Sequence, residues 1–245
     1  MEFPGLMNLT LSEHIVELRM RLIRILLGVS LAGIICYYWH EQLFDFIAKP
    51  VGVLVFTEPA EAMVLMMKLS FLSGLLLALP WVGYQVYAFF RPALSHAQRQ
   101  LLRWGLSLAW ILFLAGVAFG LSVLPTAMKF LLGFAGPHLV AMISISKYLS
   151  FALLVSFGCG AVFQMPLASY FLTRLGFLSP KFLTTHWRGA VMTILIFAAM
   201  ICPTPDLFTW FLVTLPMFML YLISIWVSHV VTKRTDQTLI KNLEK

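Results

Sequence analysis

Acidic residues are scarce in this 245-residue sequence and are missing altogether from its middle. The chain has 10 aspartates and glutamates, and none lies between Glu61 and Asp206. Proton- and ion-coupled transporters place carboxylates inside their membrane helices, where an ionisable group is costly unless it serves transport. The middle of this chain offers no such acidic relay, so ion-coupled secondary transport is kept only as the alternative function.

Cysteines and catalytic motifs are equally sparse. The three cysteines, Cys36, Cys159 and Cys202, form neither a CxxC pair nor a zinc-site spacing. We expect them to be packing residues, with a Cys36–Cys202 disulfide as the alternative. No HExxH motif, Ser/His/Asp set or pair of intramembrane aspartates occurs in the apolar runs. These absences predict a protein that is not an enzyme and has no catalytic residues, metal or other cofactor.

Apolar residues are what the chain has in excess. Hydrophobic residues make up 61% of it and charged residues only 11%, against roughly a quarter charged in soluble domains. Several apolar runs reach the ~18 residues needed to cross a bilayer. We therefore predict one polytopic membrane domain over residues 1–245, whose first apolar run stays a span and is not a cleaved signal. The net charge of +7 then reports orientation and not nucleic-acid binding.

Six transmembrane helices are predicted, in an all-α bundle. Their approximate spans are 22–39, 69–90, 104–124, 148–171, 189–201 and 207–227. The segment CPTPD at 202–206 separates the last two, because two prolines and an aspartate end a helix and start a turn. The fifth span is then about 20 Å long at 1.5 Å per residue, short of the ~30 Å hydrocarbon thickness.

The basic residues predict the orientation of these spans. Most Lys and Arg residues fall in the N-terminal segment, the second and fourth loops, and the tail 231–245. The exceptions are Lys49, Lys68, Lys129 and Lys147. With six spans these segments share one side, and the excess of positive charge marks that side as cytoplasmic. Both termini are therefore predicted to be cytoplasmic. A five-span topology would leave the basic tail outside and is rejected.

Two local features refine the picture. The stretch HEQLFDFIAKP at 40–50 places apolar residues beside charges, as in a short helix lying in the membrane interface. Pro80, Pro166 and Pro216 fall within predicted spans, where we expect them to kink the helices.

A series of short motifs resembles the TatC family, the membrane receptor of the twin-arginine translocation system. They occur in that family's order and spacing over at least residues 12–230, and they are HIVELRMRL, FTEPAEAM (56–63), YQVYAFFRPAL (84–94), YLSF (148–151), VFQMPLA (162–168) and PTPD (203–206). Each motif alone is weak evidence, but six in register on a six-span frame are specific.

The resemblance implies both fold and function. It implies a curved, cup-like bundle of six helices, with both termini cytoplasmic and short fifth and sixth helices. It implies a receptor that binds twin-arginine signal peptides of folded cargo, assembles with the single-span subunits TatA and TatB, and uses the proton-motive force without hydrolysing anything. Membrane lipid and further copies of the chain within the receptor complex are the other expected partners. The expected location is the bacterial cytoplasmic (inner) membrane, with an organellar membrane as the alternative.

The resemblance also implies a signal-peptide site formed by Glu17, Arg19, Phe89 and Gln98. A carboxylate suits two arginines because it offers charge-assisted, bidentate bonds to guanidinium. The alternative for Glu17 is an i,i+4 ion pair with Arg21. Gln98 stands where the family has a glutamate, so that position brings no charge. Phe89 is alternatively an interfacial anchor.

The remaining expectations concern one amide and the outer loops. Gln164 lies deep in the fourth span, where the resemblance implies a contact with TatA or TatB. The alternative is an internal hydrogen bond between helices. In the outer loops we expect structural roles, with Asp206 capping the sixth helix, for Pro50, Pro203, Pro205 and Asp206.

Overall fold

The structure is a computed structural model that describes residues 11–49, 51, 54–55, 58–93, 96–133, 142–174, 176–201 and 207–243. Within those ranges the chain is helical: α1 (Leu11–Tyr38), α2 (His40–Ala48), α3 (Pro59–Phe90), α4 (His96–Leu132), α5 (Ile145–Val162), α6 (Met165–Arg174), α7 (Pro180–Thr185), α8 (Trp187–Ile201) and α9 (Leu207–Leu243). A single 3-10 turn, Arg91–Ala93, follows α3. The β-pairing described is one isolated bridge, Val55 to Ser144. The predicted all-α class is confirmed.

In the part of the chain that the structure describes, five helical stretches are long and apolar enough to cross a membrane. They are Ile15–Tyr38, Ala60–Phe90, Gln98–Leu132, Ile145–Arg174 and Leu207–Lys233. The predicted fifth span corresponds to α8, whose apolar part, Trp187–Met200, is shorter. The 15 residues of α8 span about 22 Å at 1.5 Å per residue. The chain is therefore a multi-pass membrane protein, while the count of six spans and their orientation stay predictions.

The helices extend beyond the predicted spans. The third helix begins at Pro59, ten residues before the predicted span, because proline fixes φ in the helical range and suits the first helical position. The expectation of a short sixth helix is wrong, because α9 has 37 residues and continues to Leu243, through the segment predicted as a basic tail. The short helix predicted within 40–50 is confirmed as α2.

The fourth predicted span is not one continuous helix. Phe163 and Gln164 separate α5 from α6, and Pro166 is the second residue of α6. Proline has no N–H to donate to the carbonyl four residues earlier. The backbone N–H of Gln164 instead bonds Ala161 O at 3.1 Å, and the next helix starts with Ala168 N bonding Gln164 O at 2.9 Å. Proline thus breaks the helix here, whereas Pro80 and Pro216 lie inside α3 and α9.

The chain divides into two compact units. The first consists of Met1–Leu43 and Met66–Ser107. In it α1 packs on α3 around a small core of Val29, Ala32 and Ala78. The two helices approach closely at Gly74, where an added Cβ would lie 2.5 Å from Gly33 Cα.

The second unit consists of Phe44–Leu65 and Leu108–Lys245. Its core is much larger and draws on α4, α5, α8 and α9. The helices α4 and α5 approach closely, because a Cβ on Gly120 would lie 2.6 Å from Ser156 Cα. Small residues at such contacts are how membrane helices gain close packing.

Side-chain hydrogen bonds to distant backbone atoms reinforce this second unit. Tyr148 donates its hydroxyl to Ile47 O at 2.6 Å, and Tyr221 donates to Leu183 O at 2.7 Å. Each of these bonds ties a transmembrane helix to a shorter segment.

Candidate functional site

Glu17 is held on α1 by a pair with Arg21, one helical turn further on. Arg21 Nε donates to Glu17 Oε1 at 2.9 Å, and Arg21 Nη2 donates to the same oxygen. The pairing follows from helix geometry, which places residues four apart on one face. The i,i+4 pair predicted as the alternative is thus present. The other carboxylate oxygen, Oε2, has no hydrogen-bond partner among the described residues, and the side chain is 27% exposed.

The other predicted binding residues lie in the same unit. Arg19 is exposed on α1, and Gln98 is exposed in the first turn of α4. Phe89 is half-buried near the end of α3 and packs edge-to-face on Phe90, with ring centroids 5.2 Å apart. The site predicted from the sequence is therefore spread over three helices, and its side chains are at least partly accessible.

A cavity of about 660 Å³ lies within this first unit. Its described lining consists of Arg21, Arg24, Trp81, Tyr84, Gln85, Ala88, Arg91, Pro92 and Arg99. Arg21 bonds Glu17, and Arg99 follows Gln98 in the chain. The cavity therefore brings together the neighbours of two predicted binding residues, although Glu17 and Gln98 are not among its lining residues.

Most of the cavity wall is one face of α3. Trp81, Gln85 and Ala88 recur three or four residues apart, which places them on one side of a helix. Trp81 Nε1 donates to Arg24 O at 3.1 Å and so joins α3 to α1. Arg99 Nε donates to Arg91 O at 3.0 Å and joins α4 to the 3-10 turn.

Gln85 is the unusual polar group of this wall. The residue is only 3% exposed, and its buried Oε1 has no hydrogen-bond partner among the described residues. A buried acceptor without a donor costs about 1–3 kcal/mol, so we expect a ligand or a partner group to donate a hydrogen bond to it.

Sequence reasoning missed the cavity itself. It did not single out Arg24, Trp81, Gln85 or Arg91 as site residues, although Gln85 and Arg91 stand in the quoted stretch YQVYAFFRPAL. The available signal was a glutamine at helical spacing from a tryptophan within an apolar span, since a polar group in hydrocarbon needs a partner.

Gln164 has an internal partner in the second unit. Its Nε2 donates to Ala109 O at 3.0 Å, from the break between α5 and α6 to α4. The internal bond predicted as the alternative is thus present, and the contact with a partner subunit stays a prediction. The loop residues Pro50, Pro203, Pro205 and Asp206 lie outside the described residues.

The thiols and possible metal ligands form no site in the described part of the chain. Cys36 and Cys159 are buried free cysteines, and Cys202 lies outside the described residues. Across those residues no group of three or more His, Cys, Asp or Glu side chains is arranged to hold a metal ion.

Comparison with known proteins gives one consistent family. Residues 13–216 match the family described as Sec-independent protein translocase protein (TatC). The Sec-independent protein translocase protein TatC of Koribacter versatilis is 33% identical over 93% of this chain and 88% of its own length. The chloroplastic TATC of Arabidopsis thaliana is 32% identical, over 92% of this chain and 68% of its own length.

A solved structure extends the likeness to the fold. The crystal structure of a twin-arginine translocase receptor, TatC, superposes with a TM-score of 0.76 at 30% sequence identity. The match covers 90% of this chain and all of the other.

Proposed function

Because the chain belongs to the TatC family, we propose that it is the receptor subunit of a Sec-independent protein translocase and binds the twin-arginine signal peptides of folded cargo. The family is a translocase component and not an enzyme family, which agrees with the absence of catalytic motifs. The alternative, ion-coupled transport, lacks support, since no acidic residue lies between Glu61 and Asp206.

The observation that carries the site proposal is the carboxylate of Glu17, of which one oxygen accepts hydrogen bonds from Arg21 and the other does not. Both Arg21 donors use Oε1, so Oε2 can accept from an arginine of a signal peptide. A hydrogen bond between guanidinium and carboxylate is charge-assisted and about twice as strong as a neutral one. We place Arg19, Phe89 and Gln98 around the same ligand, with Gln98 accepting through its amide oxygen and contributing no charge.

Site-specific photocrosslinking tests this placement. A photoreactive residue at position 20, which is exposed on α1 one turn from Glu17, leaves Glu17 and Gln98 in place and should capture a twin-arginine signal peptide much more than its twin-lysine counterpart. The matched control is position 182, because Phe182 is exposed on α7 in the other unit. Equal capture of both peptides at position 20, or capture at position 182 as strong as at position 20, would reject the site.

TatC proteins work within the Tat translocase, which implies partner subunits. We propose that this chain assembles with TatA and TatB and with further copies of itself, and that the proton-motive force drives transport. Gln164 is the proposed contact for a polar residue of TatA or TatB within the membrane. Its amide has a second hydrogen and an acceptor oxygen beyond the bond to Ala109, which supports a shared role.

The proposed topology has six spans in a curved, cup-like bundle in the bacterial cytoplasmic membrane. Both termini lie on the cytoplasmic side. Pro50, Pro203, Pro205 and Asp206 shape its outer turns. An impermeant thiol reagent added outside the cell should then label Asp206→Cys and Glu58→Cys but not Gln98→Cys, in a background without native cysteines. Labelling of position 98 alone would show that the chain has the opposite orientation.

A further inference from the structure

Four arginines from three separate segments line the cavity of the first unit. Arg21 and Arg24 come from α1, Arg91 from the 3-10 turn after α3, and Arg99 from α4. One of them, Arg21, is paired with an acid, Glu17. Like charges gathered around a cavity repel one another, and the repulsion grows where the surroundings exclude water. An anion in the cavity would remove that cost.

Among the residues that the structure describes, two of these cations have no acceptor for the guanidinium group. Within the part of the chain that the structure describes, Arg24 and Arg91 use only their backbone carbonyls, as acceptors from Trp81 and Arg99. Both side chains are exposed. A guanidinium presents five donors in a planar fork that matches a phosphate, so this pair is well suited to a phosphate group.

Two aromatic side chains of α3 line the cavity, within the last three turns of that helix. Trp81 and Tyr84 are 44% and 58% exposed. Trp81 precedes Phe90 by nine residues, or about 13 Å along the helix axis. Exposed Trp and Tyr near helix ends are typical of the membrane interface. The cavity thus combines aromatic side chains typical of the membrane interface with a cluster of arginines. Basic pockets of this kind between membrane helices bind acidic lipid head groups.

We propose that this cavity binds the phosphate of an acidic phospholipid with a glycerol head group. The arginines, foremost Arg24 and Arg91, receive the phosphate oxygens. Gln85 also lines the cavity, and among the described residues its Oε1 has no hydrogen-bond donor. A phosphate diester has no hydrogen to donate to it, whereas a head-group hydroxyl has one. A volume of about 660 Å³ lies within the range of small-ligand pockets. The proposal does not rest on signal-peptide binding, although Arg21, which lines the cavity, also bonds Glu17.

Lipid retention by the full-length protein tests the proposal. Wild type and variants would be purified in detergent and titrated with phosphatidylglycerol or phosphatidylcholine, with bound lipid counted by native mass spectrometry. An arginine near a membrane surface contributes about 1 kcal/mol toward an acidic lipid, so Arg24→Gln/Arg91→Gln should weaken phosphatidylglycerol retention roughly thirtyfold. Phosphatidylcholine retention should be weak and unchanged.

Three controls make the result decisive. Arg188→Gln removes an exposed arginine of α8 and should retain phosphatidylglycerol as wild type does. Arg24→Lys/Arg91→Lys keeps the charge and should retain most of the binding, which separates loss of charge from misfolding. Inorganic phosphate alone should compete only weakly. Wild-type retention by the double glutamine variant, equal retention of the two lipids, or full displacement by millimolar inorganic phosphate would each overturn the lipid assignment.

Discussion

The two compact units use the same helix-packing device in very different surroundings. In the first unit Gly74 brings α3 against Gly33 of α1, and the buried core beside this contact is small. In the second unit Gly120 brings α4 against Ser156 of α5, and the contact continues into an extensive core. Close backbone approach is therefore common to both units, while the amount of buried apolar surface around it is not.

The difference separates stability from recognition. The second unit has the extensive core and the hydroxyl-to-carbonyl bonds of Tyr148 and Tyr221. The first unit has exposed cations, a half-occupied carboxylate and an unsatisfied amide oxygen at Gln85. Binding regions are commonly drawn from the less stable part of a protein, since groups that satisfy one another fully leave nothing for a ligand. We expect substitutions in the second unit to affect folding and those in the first to affect binding.

The largest effect on folding should come from Gly120→Ala. Its Cβ would lie 2.6 Å from Ser156 Cα and 3.0 Å from Val155 O, and these backbone atoms can move only if α5 shifts. Overpacking of this kind costs about 3 kcal/mol. Thermal unfolding in detergent should show a clear fall in Tm.

Gly189→Ala is the matched control, because nothing lies within 4 Å of a Cβ at that position. The two variants should differ strongly in Tm. Equal stability of both would mean that α4 and α5 do not approach as closely as described.

The largest effect on binding should come from Glu17→Gln. The loss of a hydrogen bond to a charged group costs about 1.5–3 kcal/mol, which corresponds to roughly a ten- to hundredfold weaker affinity for a twin-arginine signal peptide. Gln98→Glu should strengthen binding and partly rescue the Glu17 variant, since it restores a carboxylate. Both effects should shrink in high salt. Titration of a labelled signal peptide measures them.

Arg21→Gln separates the two roles of Glu17. It breaks the i,i+4 pair but keeps the carboxylate, so signal-peptide affinity should be unchanged or higher. If Arg21→Gln and Glu17→Gln weaken binding equally, Glu17 acts only by positioning Arg21.

A smaller effect on stability is expected for Gly74→Ala. The clash is as close as that at Gly120, with Gly33 N and Cα each 2.5 Å from the added Cβ. The small surrounding core should let α1 and α3 separate more cheaply, at about 1–2 kcal/mol. Gly33→Ala meets nothing within 4 Å and should be neutral. A Gly74→Ala penalty larger than that of Gly120→Ala, measured by Tm, would reverse the comparison between the units.

The smallest effect on stability is expected for Gln164→Leu. It removes the bond to Ala109 O, and such bonds between membrane helices average about 0.6 kcal/mol. Association with TatA and TatB, measured by co-purification, should weaken more than stability does. Normal association together with a Tm loss of several degrees would show that the amide serves only the internal bond.

Much of the fold followed from local sequence signals. Apolar run length predicted the membrane class, and the CPTPD break predicted a short fifth helix, which the structure describes as Trp187–Ile201. Helix ends were less predictable. The helices α3 and α9 run well past their apolar runs, because extending an existing helix by one residue costs far less than starting a new one.

The sequence by itself determined the family, the membrane class and the presence of an acid at position 17. These follow from composition, periodicity and motif order, each of which is visible within short stretches of the chain. Only the tertiary structure decided that Trp81 bonds Arg24 O, that Gln164 bonds Ala109 O, and that four arginines share one cavity. Those pairings join residues 55 or 57 positions apart. They depend on where two helices cross, which the periodicity of either helix alone does not specify.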